Sequence, residues 1–298
     1  MPSQKISNIF LLLTMLLTFA PQKYSQEKTT PTNNFKLCWQ FDLEEVSIIK
    51  SASDNVNQIY ILTDKNQIIA IDIKKGEKLW SSELIPNTGK IIDISVDKEN
   101  LEVKIQNFDT KKLQKISYST NTGILNGNVQ EDFNESIPNL FNDQTMSNAT
   151  ASLSINNDQK IAGDNKGNVF YINNNKLLWK FKAGGQISSI TSLEKELIIT
   201  SFDNFVYKVS TENGEKLWKK RLSGRIIDKP LVSGNSLIFT TSGSNTAYIL
   251  DSTNGNKIGE IMLTGNIFFT GTITKTEDYY VFKTSQGLAA FTESQCTK

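Results

Sequence analysis

Histidine is absent from the 298 residues of this chain. Histidine is the usual general base near neutral pH and the commonest metal ligand. Its absence excludes a serine–histidine–aspartate triad, a zinc enzyme site and a haem with a histidine ligand. The sequence also contains no glycine-rich phosphate loop, no cluster of metal-ligating residues and no amphipathic helix. We therefore expect a protein that is not an enzyme and that binds no cofactor and no metal.

The chain also lacks an excess of either charge, since it has 32 basic and 31 acidic residues. A balanced chain has no long-range field to attract nucleic acid or an anionic membrane. Arginine is nearly absent, with Arg221 and Arg225 as its only examples. We expect no nucleic-acid partner.

Long hydrophobic runs are missing outside the N-terminus. There, an apolar run covers residues 9–20, which is shorter than the roughly 20 residues that span a bilayer. Its length is typical of a secretory signal. We predict a signal peptide over 1–25, whose cleavage point Pro21 leaves open, and a polar linker over 26–35. A buried N-terminal helix and an uncleaved anchor are the alternatives. Export predicts a secreted or periplasmic protein with no transmembrane span in the mature chain.

A repeat becomes visible in the pentapeptide GEKLW, which fills Gly76–Trp80 and again Gly214–Trp218. Aligned on the Trp position, related units place Trp39, Trp80, Gly127, Trp179, Trp218 and Gly259 at one point. A period of roughly 40 residues is typical of a repeat architecture. The pentapeptide is therefore interpreted as a structural unit rather than as a duplicated catalytic site.

Each unit consists of short apolar, β-branched segments separated by turn residues. In the first unit these segments cover 57–63, 67–73 and 77–84, with 90–97 as a fourth. No helical pattern competes, so the chain is predicted to be all-β. Four strands for each repeat of this period are typical of a β-propeller blade. We predict six blades, or seven if residues 99–155 hide two degenerate units.

The recurring Gly and Trp residues have physical roles in this prediction. Glycine accepts the positive φ that a hairpin turn needs, and Trp is large enough to fill the space between neighbouring blades. The predicted repeat residues are Trp39, Gly76, Trp80, Gly123, Trp179, Gly214, Trp218 and Gly255.

The two ends of the chain complement each other. Segments 279–285 and 287–293 match the first two strands of the unit, and the strand that should follow them is found at 36–44. We predict a single propeller domain over 36–298, whose ring is closed by pairing of the N-terminal strand with the C-terminal blade. This closure would remove exposed sheet edges. In the alignment Cys38 and Cys296 lie on either side of one hairpin, which predicts a disulfide in an oxidising compartment. Two free buried thiols are the alternative.

The segment LIITSFDNFVYKVSTENGEKLWKKRLSGRIIDKPLV resembles the pyrroloquinoline-quinone-type propeller repeat. The resemblance covers most of residues 36–293 and is weakest at 99–155. One branch of the family holds quinone-dependent dehydrogenases, whose calcium site and adjacent cysteine pair have no counterpart here. Another branch of the family is non-enzymatic. In this branch the chain resembles the propeller lipoprotein of the outer-membrane barrel-assembly machinery. The cysteine that is lipidated there is missing here, so the resemblance implies the class and not the specific partner.

The function expected on this basis is that of an exported, non-catalytic scaffold that binds protein partners as a monomeric ring. A propeller that binds a small ligand or a glycan is the alternative function, and a quinone-dependent dehydrogenase is the third hypothesis.

Two stretches are candidates for partner binding. The first is the insertion between Gly127 and Ser152, which carries Phe133, Ile137, Leu140 and Phe141 among polar neighbours. Long loops on rigid scaffolds often mediate recognition. An insertion that folds back over a neighbouring blade is the alternative. The second stretch holds Arg221 and Arg225, since Arg suits interfaces better than Lys. A solvated charged face is the alternative there.

Overall fold

The computed structural model describes residues 35–296, except for positions 55, 88, 98, 127–129, 132–148, 157 and 175. Residues 1–34, which hold the predicted signal peptide and almost all of the predicted linker, lie outside the described residues. In the described part, the chain forms six four-stranded antiparallel sheets and no helix. The all-β prediction and the prediction of six blades are confirmed. No helix of this part is long and apolar enough to cross a membrane.

The strands follow one another as antiparallel neighbours within each blade. Blade one holds β2 (Ile48–Ser53), β3 (Gln58–Thr63), β4 (Ile68–Asp72) and β5 (Lys78–Ser81). Blade two holds β6 (Gly89–Asp97), β7 (Asn100–Asn107), β8 (Leu113–Ser119) and β9 (Gln130–Glu131). Blade three holds β10 (Ala149–Ser154), β11 (Gln159–Asp164), β12 (Asn168–Asn173) and β13 (Lys176–Lys182).

The second half of the chain repeats this order. Blade four holds β14 (Ile187–Leu193), β15 (Glu196–Ser201), β16 (Phe205–Ser210) and β17 (Lys216–Arg221). Blade five holds β18 (Leu231–Ser233), β19 (Ser236–Thr240), β20 (Thr246–Asp251) and β21 (Lys257–Met262). Blade six holds β22 (Phe269–Lys275), β23 (Tyr280–Thr284), β24 (Gly287–Thr292) and, from the N-terminus, β1 (Lys36–Asp42).

The second strands of blades one and four are buried almost throughout, whereas β7 of blade two alternates apolar and polar residues. In β3 and β15 every residue after the first is buried. A strand with a neighbouring blade on each side has no solvent-facing row, so its sequence runs apolar instead of alternating. The outermost strands alternate instead, as β17 does with Trp218 facing inward and lysines facing solvent. The core therefore consists of separate clusters between blades.

One strand assignment made from the sequence is wrong. Segment 90–97 was predicted as the fourth strand of the first unit, but β6 pairs with β7 and begins blade two. The cause lies in the connection after β5, which leaves blade one instead of turning back. The amides of Ser82 and Ile85 bind the carbonyls of Ile68 and Asn66, and so hold this connection against blade one. A sequence period gives the length of a unit but not its first strand.

The ring closes as predicted. β1 pairs with β24 in antiparallel register, with Trp39 opposite Ala290. The outer strand of the last blade is therefore supplied by the N-terminus. Cys38 and Cys296 form a disulfide with a Cα–Cα distance of 5.4 Å and a sequence separation of 258 residues. The covalent link spans the junction between the two ends of the described chain.

Each Trp of the repeat packs on the turn glycine of the next blade. Gly214, at φ +74°, has no room for a side chain, because a Cβ there would lie 2.8 Å from the Trp179 ring. The indole nitrogen of Trp179 donates to the Thr211 carbonyl at 2.8 Å, three residues before that glycine. Three further pairs share both features: Trp39 with Gly76, Trp80 with Gly123, and Trp218 with Gly255.

The Leu of the GEKLW sequence also has a structural role. In blade one the register shifts between Ala70 and Ile71, which leaves Leu79 as an extra residue beside Trp80. Leu217 has the same place beside Trp218. A β-bulge re-aims the side chain that follows it, and here that side chain is the Trp that reaches the next blade. In blade six the corresponding extra residue is Cys38.

Candidate interaction surface

One face of the ring carries the described links that join blades. It consists of the turns after β3, β7, β11, β15, β19 and β23 and of the connections after β1, β5, β13, β17 and β21. We call it the connection face. Because each blade is an antiparallel meander, every second link returns to this side of its sheet.

Backbone hydrogen bonds hold the connection face together. The amide of Asp64, after β3, donates to the Ser47 carbonyl at 2.9 Å. The equivalent bond joins Phe202 to the Gln186 carbonyl at 2.8 Å in blade four. In blades one, four, five and six the turn is thus fixed to the connection that enters the same blade. A fixed backbone presents its exposed side chains with little ordering cost on binding.

Large apolar side chains are exposed on this face, where turn residues are usually polar. Phe108 is 51% exposed and Leu84 is 67% exposed. The turn around Phe108 is made by Asn107, whose side-chain oxygen accepts from the amides of Asp109 and Thr110 at 2.9 Å. The fold therefore does not need an aromatic residue at position 108. Exposed apolar groups of this kind are typical of contact sites.

The exposed apolar side chains are distributed unevenly around the ring. Of the 17 large hydrophobic residues exposed in the described part, eight lie in blades one and two and their links. We define the apolar sector as Ile49, Leu84, Ile92 and Phe108. Ile49 and Ile92 are the extra residues of β-bulges in β2 and β6, the first strands of their blades. First strands of neighbouring blades contact one another, as β2 does β6, so the sector combines the connection face with the inner strands.

The arginines occupy two different settings on the link from blade four to blade five. Arg221 is the last residue of β17, opposite Phe205, and it is exposed. The Arg225 guanidinium lies over the Phe202 ring, 4.7 Å from its centroid, as a cation–π contact. Phe202 is thereby partly covered, unlike Phe108. The candidates Phe133, Ile137, Leu140 and Phe141 lie outside the described residues.

A polar clamp fixes the connection that enters blade four. The Tyr207 hydroxyl donates to Asp203 at 2.5 Å, and the Gly184 amide donates to the same carboxylate at 2.8 Å. Burial, together with the hydrogen bond to Asp203, raises the pKa of Tyr207 to about 12. The neutral phenol is the form that can donate to the carboxylate. The clamp therefore has a structural role below that pKa.

Two other titrating groups show the same structural pattern. Burial opposes ionisation of Asp164, but hydrogen bonds from the Asn168 side chain and from the amides of Asn168 and Lys166 outweigh it and lower the pKa of Asp164. Burial, followed by the charge of Asp54, raises the pKa of Tyr60 to about 12. Each of these groups lies in a turn or between strands of a blade.

Two aspartates at the ends of blade strands stabilise turns. The Asp72 carboxylate accepts from the amides of Lys74 and Lys75 at 2.7 and 2.8 Å. Asp251 accepts from the amide of Thr253 at 2.7 Å. Within the described ranges, no group of three or more His, Cys, Asp or Glu side chains is placed to hold a metal.

Sequence reasoning missed the apolar sector. Phe108 and Leu84 are isolated apolar residues in polar links, so they contribute to no periodic pattern. The sequence offered one indication of an exposed residue, which is that Phe108 directly follows Asn107, a residue type that forms turns. Its exposure depends on the neighbouring turns of the folded ring.

Comparison with known proteins supports the repeat assignment. A family model described as "Outer membrane protein assembly factor BamB" matches residues 165–259. The match covers blade four and most of blade five, with parts of blade three. The predicted resemblance to the pyrroloquinoline-quinone-type propeller family is confirmed over these residues. No curated protein sequence matches this chain.

Solved structures share the fold at low sequence identity. The WD40 β-propeller domain of Doa1 has a TM-score of 0.57 and 8% identity, with 88% of this chain and 97% of that chain covered. Raptor from Chaetomium thermophilum has a TM-score of 0.58 and 12% identity, with 87% of this chain and 28% of that chain covered. BamB from Moraxella catarrhalis has a TM-score of 0.46 and 14% identity, with 81% and 83% covered. At such identities the likeness concerns the fold alone.

Proposed function

We propose that this propeller is a non-catalytic scaffold that binds a protein partner through the apolar sector of its connection face. The observation that carries the proposal is the exposure of Phe108 and Leu84 on links whose backbone is fixed by hydrogen bonds. Burial of apolar surface is the main favourable term in protein association, and aromatic anchors contribute strongly to it. A rigid ring that presents them loses little conformational entropy on binding.

We also propose that the scaffold acts outside the cytosol. A disulfide joins Cys38 and Cys296, and such bonds persist in oxidising compartments such as the periplasm or the extracellular space. The apolar run at residues 9–20 supports the same proposal. N-terminal sequencing of the exported protein tests it. A mature N-terminus within the first 35 residues supports export with cleavage, and an exclusively cytosolic full-length chain contradicts it.

Partner capture with matched variants tests the scaffold proposal. The immobilised protein is exposed to the exported fraction of its source cells, in parallel with Leu84→Lys/Phe108→Lys and with the control Leu79→Lys/Leu217→Lys. The control residues are 46% and 47% exposed on outermost strands. We expect a protein that is retained by the wild type and the control and is lost from the apolar-sector variant. Equal capture by all three proteins, or no capture by any, contradicts the proposal.

A further variant tests the inserted segment separately. Replacement of residues 132–148 by a short Gly-Ser loop keeps β9 and leaves the apolar sector in place. If this variant loses the same partner, the segment forms part of the binding surface. If it retains the partner, the segment has no part in binding and the described sector is sufficient.

A further inference from the structure

A second feature of the connection face lies on the opposite half of the ring from the apolar sector. It is an open depression of about 500 Å³ between blades four, five and six. Three links line it: the connection after β17, the turn after β19 and the connection after β21. The volume falls within the range of small-molecule sites, roughly 300–1,000 Å³.

The lining of the depression is polar but carries no ionisable side chain. Its polar groups are hydroxyls and carboxamides, supplied by Ser223, Thr241, Ser242, Ser244, Asn245 and Asn266. The nearest arginine, Arg225, directs its guanidinium to the Phe202 ring instead. Recognition of an anion needs cationic or clustered amide donors, and recognition of a cation needs carboxylates or an aromatic cage. Uncharged donors and acceptors favour a neutral ligand that itself carries several hydroxyl groups.

Two side chains of the lining are available for such a ligand. The Ser242 hydroxyl and the Asn266 carboxamide are exposed, and neither makes a hydrogen bond to another residue in the described part of the chain. The backbone around them is fixed, because the Ser242 amide donates to the Arg225 carbonyl at 2.8 Å. Gly243 and Gly265 have positive φ and open space where a Cβ would stand. Their missing side chains keep the depression accessible.

An aromatic wall completes the depression. Phe268 is 40% exposed and stands beside Ile267. Its backbone is held by Ser285, whose amide donates to the Phe268 carbonyl at 2.9 Å and whose hydroxyl accepts from the Phe268 amide at 3.3 Å. An exposed ring at the edge of a group of hydroxyls and amides offers an apolar face to a ligand whose other groups are polar.

A buried hydroxyl of the lining is unsatisfied. Thr241 is fully buried and its Oγ1 atom has no hydrogen-bond partner among the described residues. It packs against Gly224, where a Cβ would approach Oγ1 to 3.1 Å. An unpaired buried hydroxyl costs stability, and such groups call for a specific explanation. A ligand or an ordered water in the depression would reduce that cost.

We propose that this depression binds a neutral carbohydrate. One sugar ring stacks its C–H face on Phe268, and its hydroxyl groups exchange hydrogen bonds with Ser242 and Asn266. Pyranose rings combine an apolar face with a rim of uncharged donors and acceptors, which matches the lining described here. The site is separate from the apolar sector, so this inference stands or fails independently of the proposed protein partner.

Calorimetric titration with a panel of neutral disaccharides tests the proposal. Maltose, cellobiose, lactose and mannobiose are the probes, and sialyllactose and inorganic phosphate are the charged comparisons. We expect at least one neutral disaccharide to bind the wild type and to bind Phe268→Ala and Asn266→Ala about tenfold or more weakly, since an unpaired polar group or a lost stacking face costs at least that much affinity. The matched control is Phe108→Ala, which removes an exposed phenylalanine from the same face and should leave affinity unchanged.

Three results overturn the proposal. They are the absence of binding by any neutral disaccharide, binding of the charged probes alone, and wild-type affinity in Phe268→Ala. Thermal unfolding of each variant shows whether it is folded. If Phe268→Ala does not fold, Asn266→Ala still tests the proposal.

A second experiment distinguishes a protein-linked glycan from a free saccharide as the natural ligand. It compares the retention of a glycoprotein that bears the bound sugar before and after deglycosylation. Retention of the glycosylated form alone identifies a protein-linked glycan as the source. Equal retention of both forms, when a neutral disaccharide binds, identifies a free saccharide as the source.

Discussion

At the scale of single residues, the contact between a turn glycine and the Trp of the preceding blade is the most specific feature of the repeat. Four Trp–Gly pairs share the same geometry. Each pair combines a backbone conformation that favours glycine, a ring that occupies the space of a side chain, and an indole hydrogen bond to a nearby carbonyl. The same Gly and Trp residues recur in several repeats of this chain because all three requirements apply at the same contact between blades.

Substitution of Gly214 by Ala measures this contact. Gly214→Ala introduces a Cβ 2.8 Å from the Trp179 ring at φ +74°. The matched control is Gly234→Ala, at φ +53° with nothing within 4 Å. We expect the control to lower the free energy of unfolding by about 1 kcal/mol from backbone strain alone. Gly214→Ala should lose about 2–4 kcal/mol, because overpacking adds to that strain. Chemical denaturation measures both, and equal losses would show that the Trp contact contributes nothing.

Tyr207 makes stability depend on alkaline pH. Its pKa in the folded protein is raised to about 12 from the ordinary value of 10.0, so the folded state binds its proton more tightly than the unfolded state. The stabilisation is complete below about pH 10 and is lost as pH rises toward about 12. We expect the free energy of unfolding to fall less steeply over this range in Tyr207→Phe than in the wild type. An unchanged pH slope in urea titrations would contradict this origin.

At the scale of secondary-structure elements, β1 and β24 determine whether the ring closes. The two strands come from opposite ends of the chain, so their pairing must offset a large loss of chain entropy. The disulfide lies at this pairing, with Cys38 at the bulge position and Cys296 in the turn position that glycine holds in blades one, two, four and five. It limits the freedom of the unfolded chain where the closure cost is highest.

Removal of the disulfide tests this contribution. We expect Cys38→Ser/Cys296→Ser to lose about 3–5 kcal/mol of unfolding free energy, because the bond closes nearly the whole described chain. Guanidinium denaturation measures the loss, and the reduced wild type, which keeps both sulfur atoms, serves as the control. A loss below about 1 kcal/mol would show that strand pairing alone closes the ring.

The elements also show what the sequence could predict. Strand type, blade number and closure follow from local apolar patterns and a regular period, which are properties of short segments. The sequence did not show which strand begins each blade. Residues 90–97 belong to blade two because β6 pairs with β7, and that pairing is visible only in the structure. Phe108, Phe268 and the depression were not predicted, since exposure and cavity shape depend on how links from different blades are placed together.

At the scale of the whole molecule, the ring is not uniformly packed. The clusters between most neighbouring blades hold many buried residues, such as the one that joins blades three and four. On the side of blade three that faces away from blade four, Ala162 and Phe170 are buried and Ile172 packs against them. In the described part of the chain, this small cluster holds residues of blade three alone. Blade three also lacks a turn glycine that could receive a Trp, because Asn174, at φ +49°, lies in the turn before β13.

This asymmetry predicts where the ring opens first. Local opening follows the regions with few buried apolar contacts. We expect amides of residues 149–164 in blade three to exchange with deuterium about tenfold or more faster than those of the equivalent residues 187–201 in blade four, since a difference of about 1.4 kcal/mol in opening free energy gives that ratio. Hydrogen exchange followed by mass spectrometry measures both segments in one experiment. Phe170→Ala should accelerate the first segment further and leave the second unchanged, whereas equal exchange of both in the wild type would mean that the ring opens as one unit.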